Sequence, residues 1–120
     1  MNDEDRRYAI VIHPDSTVEV AQTPGGWREI KRLVGGYFEN VYYTNFKEFP
    51  IVVSVHEIGK LIRKPFNMLG TLLYGDPYDF LVGNVVIFKL DRVGEYDELD
   101  HIPLTSSEVE ILKKHLSSLH

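Results

Sequence analysis

The chain has 120 residues, 43% hydrophobic and 26% charged, which is enough for one packed core and too little for two, and a composition unlike that of disordered, collagen-like or coiled-coil chains. Thirteen Lys and Arg against eighteen Asp and Glu leave a net charge of −5, which repels a phosphate backbone over most of the surface and disfavours nucleic acid as a partner. The lack of cysteine excludes disulfides, thiol catalysis and Cys-ligated zinc; no apolar window approaches the ~18 residues of a membrane span and the first residues are acidic and polar, so a soluble, cytoplasmic domain is expected.

Residues 1–7 are polar and charged after Met1 and are expected to form a flexible N-terminus, leaving residues 8–120 as a single domain. Tyr8 to His13 is short, β-branched and closed by Pro14, which reads as a strand. Pro14-Asp15-Ser16 has turn chemistry, and the alternation from Thr17 to Gln22 predicts a second strand with Val18 and Val20 on one face and Glu19 on the other, hence a hairpin. Thr23 and Pro24 suit a helix start; Trp27, Ile30, Leu33 and Val34 recur at helical spacing before Gly35-Gly36 stops the run.

Tyr37 to Tyr43 and Ile51 to His56 predict two further strands, paired as a hairpin. Glu57 to Pro65 carries a Gly, a Pro and three cations and reads as a loop. Asn67 is placed to cap a helix over Met68 to Tyr74, with Leu69, Leu72 and Leu73 inward and Gly75 ending it. Phe80 to Leu90 has the strongest strand signal, interrupted by Gly83. Residues 91–100 hold five acids and one base and read as a loop carrying most of the net charge. In the last helix, Thr105 and Glu108 have capping-box spacing, Leu104 and Val109 suit a hydrophobic staple, and Val109, Leu112, Leu116 and Leu119 form one apolar face. The order β-β-α-β-β-α-β-α, rich in hairpins, predicts an α+β domain: a mostly antiparallel sheet of about five strands with helices packed on it.

Several stretches recur together in one family: Leu33 to Glu39 as a helix-to-strand passage, Glu57 to Leu61 followed by Pro65-Phe66-Asn67 as a central loop with Thr71 beyond it, Asp79 to Ile87 as a strand, and a closing helix that opens at Thr105. From Tyr8 onward the chain resembles the family called domain of unknown function 3846. Proteins like this occur in phages, plasmids and prokaryotic genomes, so the resemblance implies an accessory gene of a mobile element or its host and no particular reaction.

Glu57, Lys60 and Asn67, joined by Thr71 and Asp79, form the leading candidate ligand-binding cluster: a Gly59-held loop presenting an acid and an ammonium beside a capped helix N-terminus suits an anion, against the plainer reading of a solvated turn pair and a simple helix cap. His13, His56 and His101 lack metal-site spacing, so no metal is expected. Pro14-Asp15 with Glu29-Ile30-Lys31 mimics the order of a restriction-type nuclease core, but the acid and lysine fall on a helix instead of a strand. Ser54, Ser106 and Ser107 have no nucleophile elbow, and the Gly pairs have no phosphate-loop context. Tyr37, Tyr42 and Tyr43 are candidate interaction residues in an aromatic run that alternation divides between two faces.

The expectation is a small non-enzymatic binding or interaction module, a mobile-element accessory or counter-defence protein that holds an anionic small molecule or a partner protein, with no cofactor and no catalytic residue assigned. One alternative is an enzyme using Glu57 as general acid/base with Lys60 as electrostatic stabiliser; another is a structural homo-oligomer associating through exposed aromatics.

Overall fold

The computed structural model describes residues 6–42, 45–93 and 98–119. The elements follow in the order β1 (Tyr8–Ile12), β2 (Val18–Gln22), α1 (Trp27–Val34), β3 (Phe38–Val41), β4 (Ile51–His56), α2 (Met68–Tyr74), β5 (Val85–Val93), β6 (Glu98–Ile102) and α3 (Ser106–Ser117). All pairings are antiparallel, in the order β2-β1-β5-β4-β3, with β6 pairing β5 as well. The α+β class and the two hairpins, β1 with β2 and β3 with β4, are as expected.

Strand alternation divides the core into two layers. Ile10, Ile12, Val53, Val85 and Ile87 pack with Leu69, Leu73, Leu112 and Leu116 of α2 and α3 on one face. Ala9, Val11, Val52, Val86 and Phe88 pack with Ile30, Leu33 and Val34 of α1 on the other. Asn84 ties the two sides of the loop region by donating to the Leu33 carbonyl at 3.1 Å, at the end of α1.

In the charged stretch after Leu90, expected as a loop, the described residues 91–93 and 98–100 are strand. β5 continues to Val93, and β6 runs back beside it with Lys89 opposite Ile102 and Leu90 opposite His101. β1 and β5 diverge beyond the Ile10 and Ile87 pair, and the returning chain fills the gap, with Leu104 bridging to Tyr8. At its other end the strand expected from Phe80 begins only at Val85, because Gly83 sits in the left-handed region at φ 69° and donates to the Pro65 carbonyl at 2.7 Å, turning the chain.

Smaller expectations also change. α1 is capped by Gly26 without a side-chain bond, while the Thr23 hydroxyl accepts from the Gly25 N–H at 3.0 Å in the turn before it. Trp27, expected inward, lies exposed with the Arg28 guanidinium 5.4 Å from its ring centre. Leu72 and Val20 are exposed too, Val20 because β2 is an edge strand. The described structure begins before Tyr8. Arg7 and Tyr8 both donate their N–H to the Leu104 carbonyl, and the Arg6 guanidinium donates to Glu108 Oε1 at 2.8 Å. Glu108, 8% exposed, also pairs with Lys89 at 3.0 Å and closes the expected capping box with Thr105. Burial pushes its carboxyl up, yet the Thr105 N–H, Arg6 and Lys89 together outweigh that and hold it below the usual range.

Candidate functional cleft

The chain leaves β4 at His56 and turns sharply, Gly59 donating to the His56 carbonyl at 3.2 Å and Lys64 returning to the Gly59 carbonyl at 2.9 Å. A Cβ at Gly59 would stand 2.9 Å from Val82 Cγ2, so the bare backbone is what allows the loop to lie against the 79–83 segment. Between them lies a shallow cleft of about 100 Å³ whose polar lining is Glu39, His56, Glu57, Lys60 and Asp79. Val41, Val55, Leu81 and Val82 contribute apolar lining, with Ile58, Leu61 and Phe80 beside them.

Three of the five expected ligand-binding residues, Glu57, Lys60 and Asp79, therefore share one concavity. The Lys60 ammonium is committed to the Asp79 carboxylate and also lies 4.5 Å from the centre of the Phe80 ring. Asp79 is held below the ordinary carboxylate range first by that ammonium, against a small desolvation cost, with help from the Phe80 N–H and the Tyr74 hydroxyl. Three carboxylates and one already paired ammonium make the cleft net acidic, the opposite of what an anion needs.

Asn67 and Thr71 do not face the cleft, and their expected ligand role is corrected by where their hydrogen bonds go. Asn67 is 0% exposed. Its amide donates to the Ile12 carbonyl at 2.9 Å and to the Gly83 carbonyl at 2.8 Å, and its oxygen accepts from the Gly70 N–H at 2.8 Å. It caps α2 as expected and at the same time locks that helix to β1 and to the turn before β5. The Thr71 hydroxyl donates to the Asn67 carbonyl at 2.7 Å and accepts from the Leu81 N–H at 2.8 Å. Both side chains are spent on structure.

Of the interaction residues, Tyr37 is exposed with the Lys31 ammonium 4.1 Å from its ring centre, and Tyr42 is exposed at the end of β3. Tyr43 lies outside the described residues. Phe46 and Phe49 turn into the core, their rings 4.8 Å apart. Among the described residues no group of three His, Asp or Glu side chains is arranged to hold a metal ion, and none of the helices is long and apolar enough to cross a membrane.

Sequence reasoning missed two features. Glu39 joins the cleft because the β3–β4 register sets it opposite Val55, two residues before Glu57; strand alternation within a recognised hairpin contains that signal. The second is a polar cluster inside the sheet: Ser54 Oγ donates to Asn40 Oδ1 at 2.8 Å, and His101 Nε2 lies 3.0 Å from the same oxygen. The His101 ring stands edge-on to Phe38 and Phe88 at 6.1 and 6.0 Å. Burial lowers its pKa, opposed by Asp100. Ser54 is fully buried, so the cluster joins strands and offers no reachable nucleophile.

Fold and cleft together define a small α+β domain whose sheet carries helices on both faces, with an acidic cleft that opens beside an edge strand. The family described as Domain of unknown function (DUF3846) matches residues 6–115, nearly the whole chain, and the protein belongs to it. No curated protein and no solved structure matches the chain.

Proposed function

We propose that this domain is a cytoplasmic interaction module that works by occupancy, seating a partner protein on the cleft and the apolar surface around it. One observation carries the reading. Of the thirteen exposed large hydrophobic residues among those described, eight fall between Ile58 and Phe80: Ile58, Leu61, Ile62, Phe66, Met68, Leu72, Tyr78 and Phe80. Leu61 and Tyr78 are 82% and 95% exposed, and the Phe66 and Phe80 rings lie 6.1 Å apart. Scattered exposed apolar residues need no explanation, but three of these eight, Ile58, Leu61 and Phe80, line the cleft, and exposed apolar side chains gathered at a cleft are the usual mark of an interface.

The anionic small molecule loses ground to the partner protein, because Lys60 is already neutralised by Asp79 and two further carboxylates line the same space. The acid/base alternative loses ground for the same reason: the ammonium that would stabilise developing charge is paired with Asp79 instead of standing free beside Glu57. An accessory or counter-defence role in a mobile element, as the resemblance implies, suits a protein that acts by covering another. A photo-cross-linking residue placed in turn at Leu61, Phe80, Trp27 and Ile111, in cells that carry the native gene, tests the reading. Adducts with one protein at Leu61 and Phe80, and none at Trp27 or Ile111, are expected; adducts at the latter pair alone, or at no position, overturn it.

A further inference from the structure

Resting on that reading, we infer that the partner contributes an extended segment that adds to the free edge of β3 and sends a cationic side chain, Lys or Arg, into the acidic cleft.

Among the described residues β3 ends the sheet and pairs only with β4. The phase of that ladder is fixed by the Glu57 N–H, which donates to the Tyr37 carbonyl at 2.9 Å. Antiparallel pairs alternate between hydrogen-bonded and non-bonded. Tyr37 with Glu57 is a bonded pair, so Glu39 with Val55 and Val41 with Val53 are too, and Phe38 and Asn40 turn their N–H and C=O groups away from β4. Open strand edges in natural proteins are usually blunted by shortness, charge, proline or a bulge, and β3, four residues long, carries neither proline nor lysine. β3 reads Phe-Glu-Asn-Val, and its single charge, Glu39, lines the cleft.

Alternation then sets what an added strand would meet. Glu39 and Val41 lie on the cleft side, while Asn40 is tied to Ser54 and His101 on the other. Every second residue of the added strand lies on the face of Glu39, and the one opposite Glu39 faces Glu57 and Asp79 as well, where only a positive charge is complementary. Ile58, Leu61 and Phe80 offer apolar contact to the other side chains on that same face. Main-chain bonds supply attachment and the cleft supplies choice of side chain, the division of labour of strand addition at a sheet edge.

An acetylated, amidated peptide Val-Lys-Val-Lys-Val-Thr titrated into the ¹⁵N-labelled protein tests this, observed by amide chemical shifts. The Phe38 and Asn40 N–H signals should move on saturation, the Glu-for-Lys peptide should bind about tenfold more weakly or less, and N-methylation of the peptide's pairing amides should abolish binding. Glu39→Lys leaves two carboxylates against two ammonium groups and should remove the preference between the two peptides, and the peptide comparison alone keeps the test valid without any variant. Equal affinity for the Lys and Glu peptides, or no movement at Phe38 and Asn40, overturns strand addition. If cross-linking at Leu61 and Phe80 succeeds meanwhile, the interaction reading stands and only this mode of docking falls; if cross-linking fails as well, both fall.

Discussion

Asn67 and Lys60 stand seven positions apart on the same stretch of chain, and both carry polar groups at the end of a turn. Asn67 is sealed among two carbonyls and an amide with no exposure. The Lys60–Asp79 pair has side chains 47% and 36% exposed. The buried amide can exchange its partners for nothing, whereas the exposed ion pair can exchange its partner for another ion or for water at little cost. Polarity alone therefore does not mark a site; polarity that a newcomer can recruit does.

Breaking the sealed side should have the largest effect. Asn67→Ala removes the donor to the Ile12 and Gly83 carbonyls and strands the Gly70 N–H, and at roughly 1–3 kcal/mol for each buried group left unsatisfied a loss of about 3 kcal/mol is expected in urea unfolding. Asn67→Asp keeps the cap acceptor but turns a carboxylate towards two carbonyls, so it should rescue little; full rescue would mean that capping is all Asn67 does. Next comes Gly70→Ala, whose Cβ would stand 2.6 Å from Val85 Cγ2 and 3.0 Å from Asn67 Oδ1; overpacking there should cost about 1–3 kcal/mol by the same measurement.

Glu108→Gln extends the comparison to a buried carboxylate and should cost about 2 kcal/mol. Because the folded carboxyl titrates below its ordinary value of 4.5, its contribution is present above that pH and is lost as the pH falls further. His101 acts in a different window. Its folded pKa lies below 6.5, so as the pH falls through that value the unfolded chain takes up a proton that the folded ring refuses, and stability drops. His101→Gln should flatten the unfolding free energy between about pH 7 and pH 5; an unchanged slope would show that the ring titrates normally. The smallest effect is expected on the open side: Lys60→Ala should shift stability by no more than ~0.5 kcal/mol, and a large loss would show that the pair is structural after all.

Local chemistry was legible in the sequence wherever cause and effect lie a few residues apart. The Thr105 and Glu108 capping box, the Asn67 cap and both hairpins follow from spacing and turn residues. β6 was not legible, because its acids read as solvated loop while its reason to exist is the backbone pairing that the end of β5 offers. The cleft was half legible: Glu57 and Lys60 sit on one loop, but Glu39 arrives by register. The second role of Asn67 depends on the Ile12 carbonyl, 55 positions away, and no window of sequence shows that.

The filling of the gap between β1 and β5 has a consequence for how the molecule comes into being. Tyr8 exchanges both of its main-chain bonds with Leu104, and Arg6 rests on Glu108, 102 positions further along, so β1 stays incomplete during synthesis until α3 has followed. Until then Arg6 and Tyr8 wait without their neighbours, and the segment that opens α3 is what fastens β1 in place.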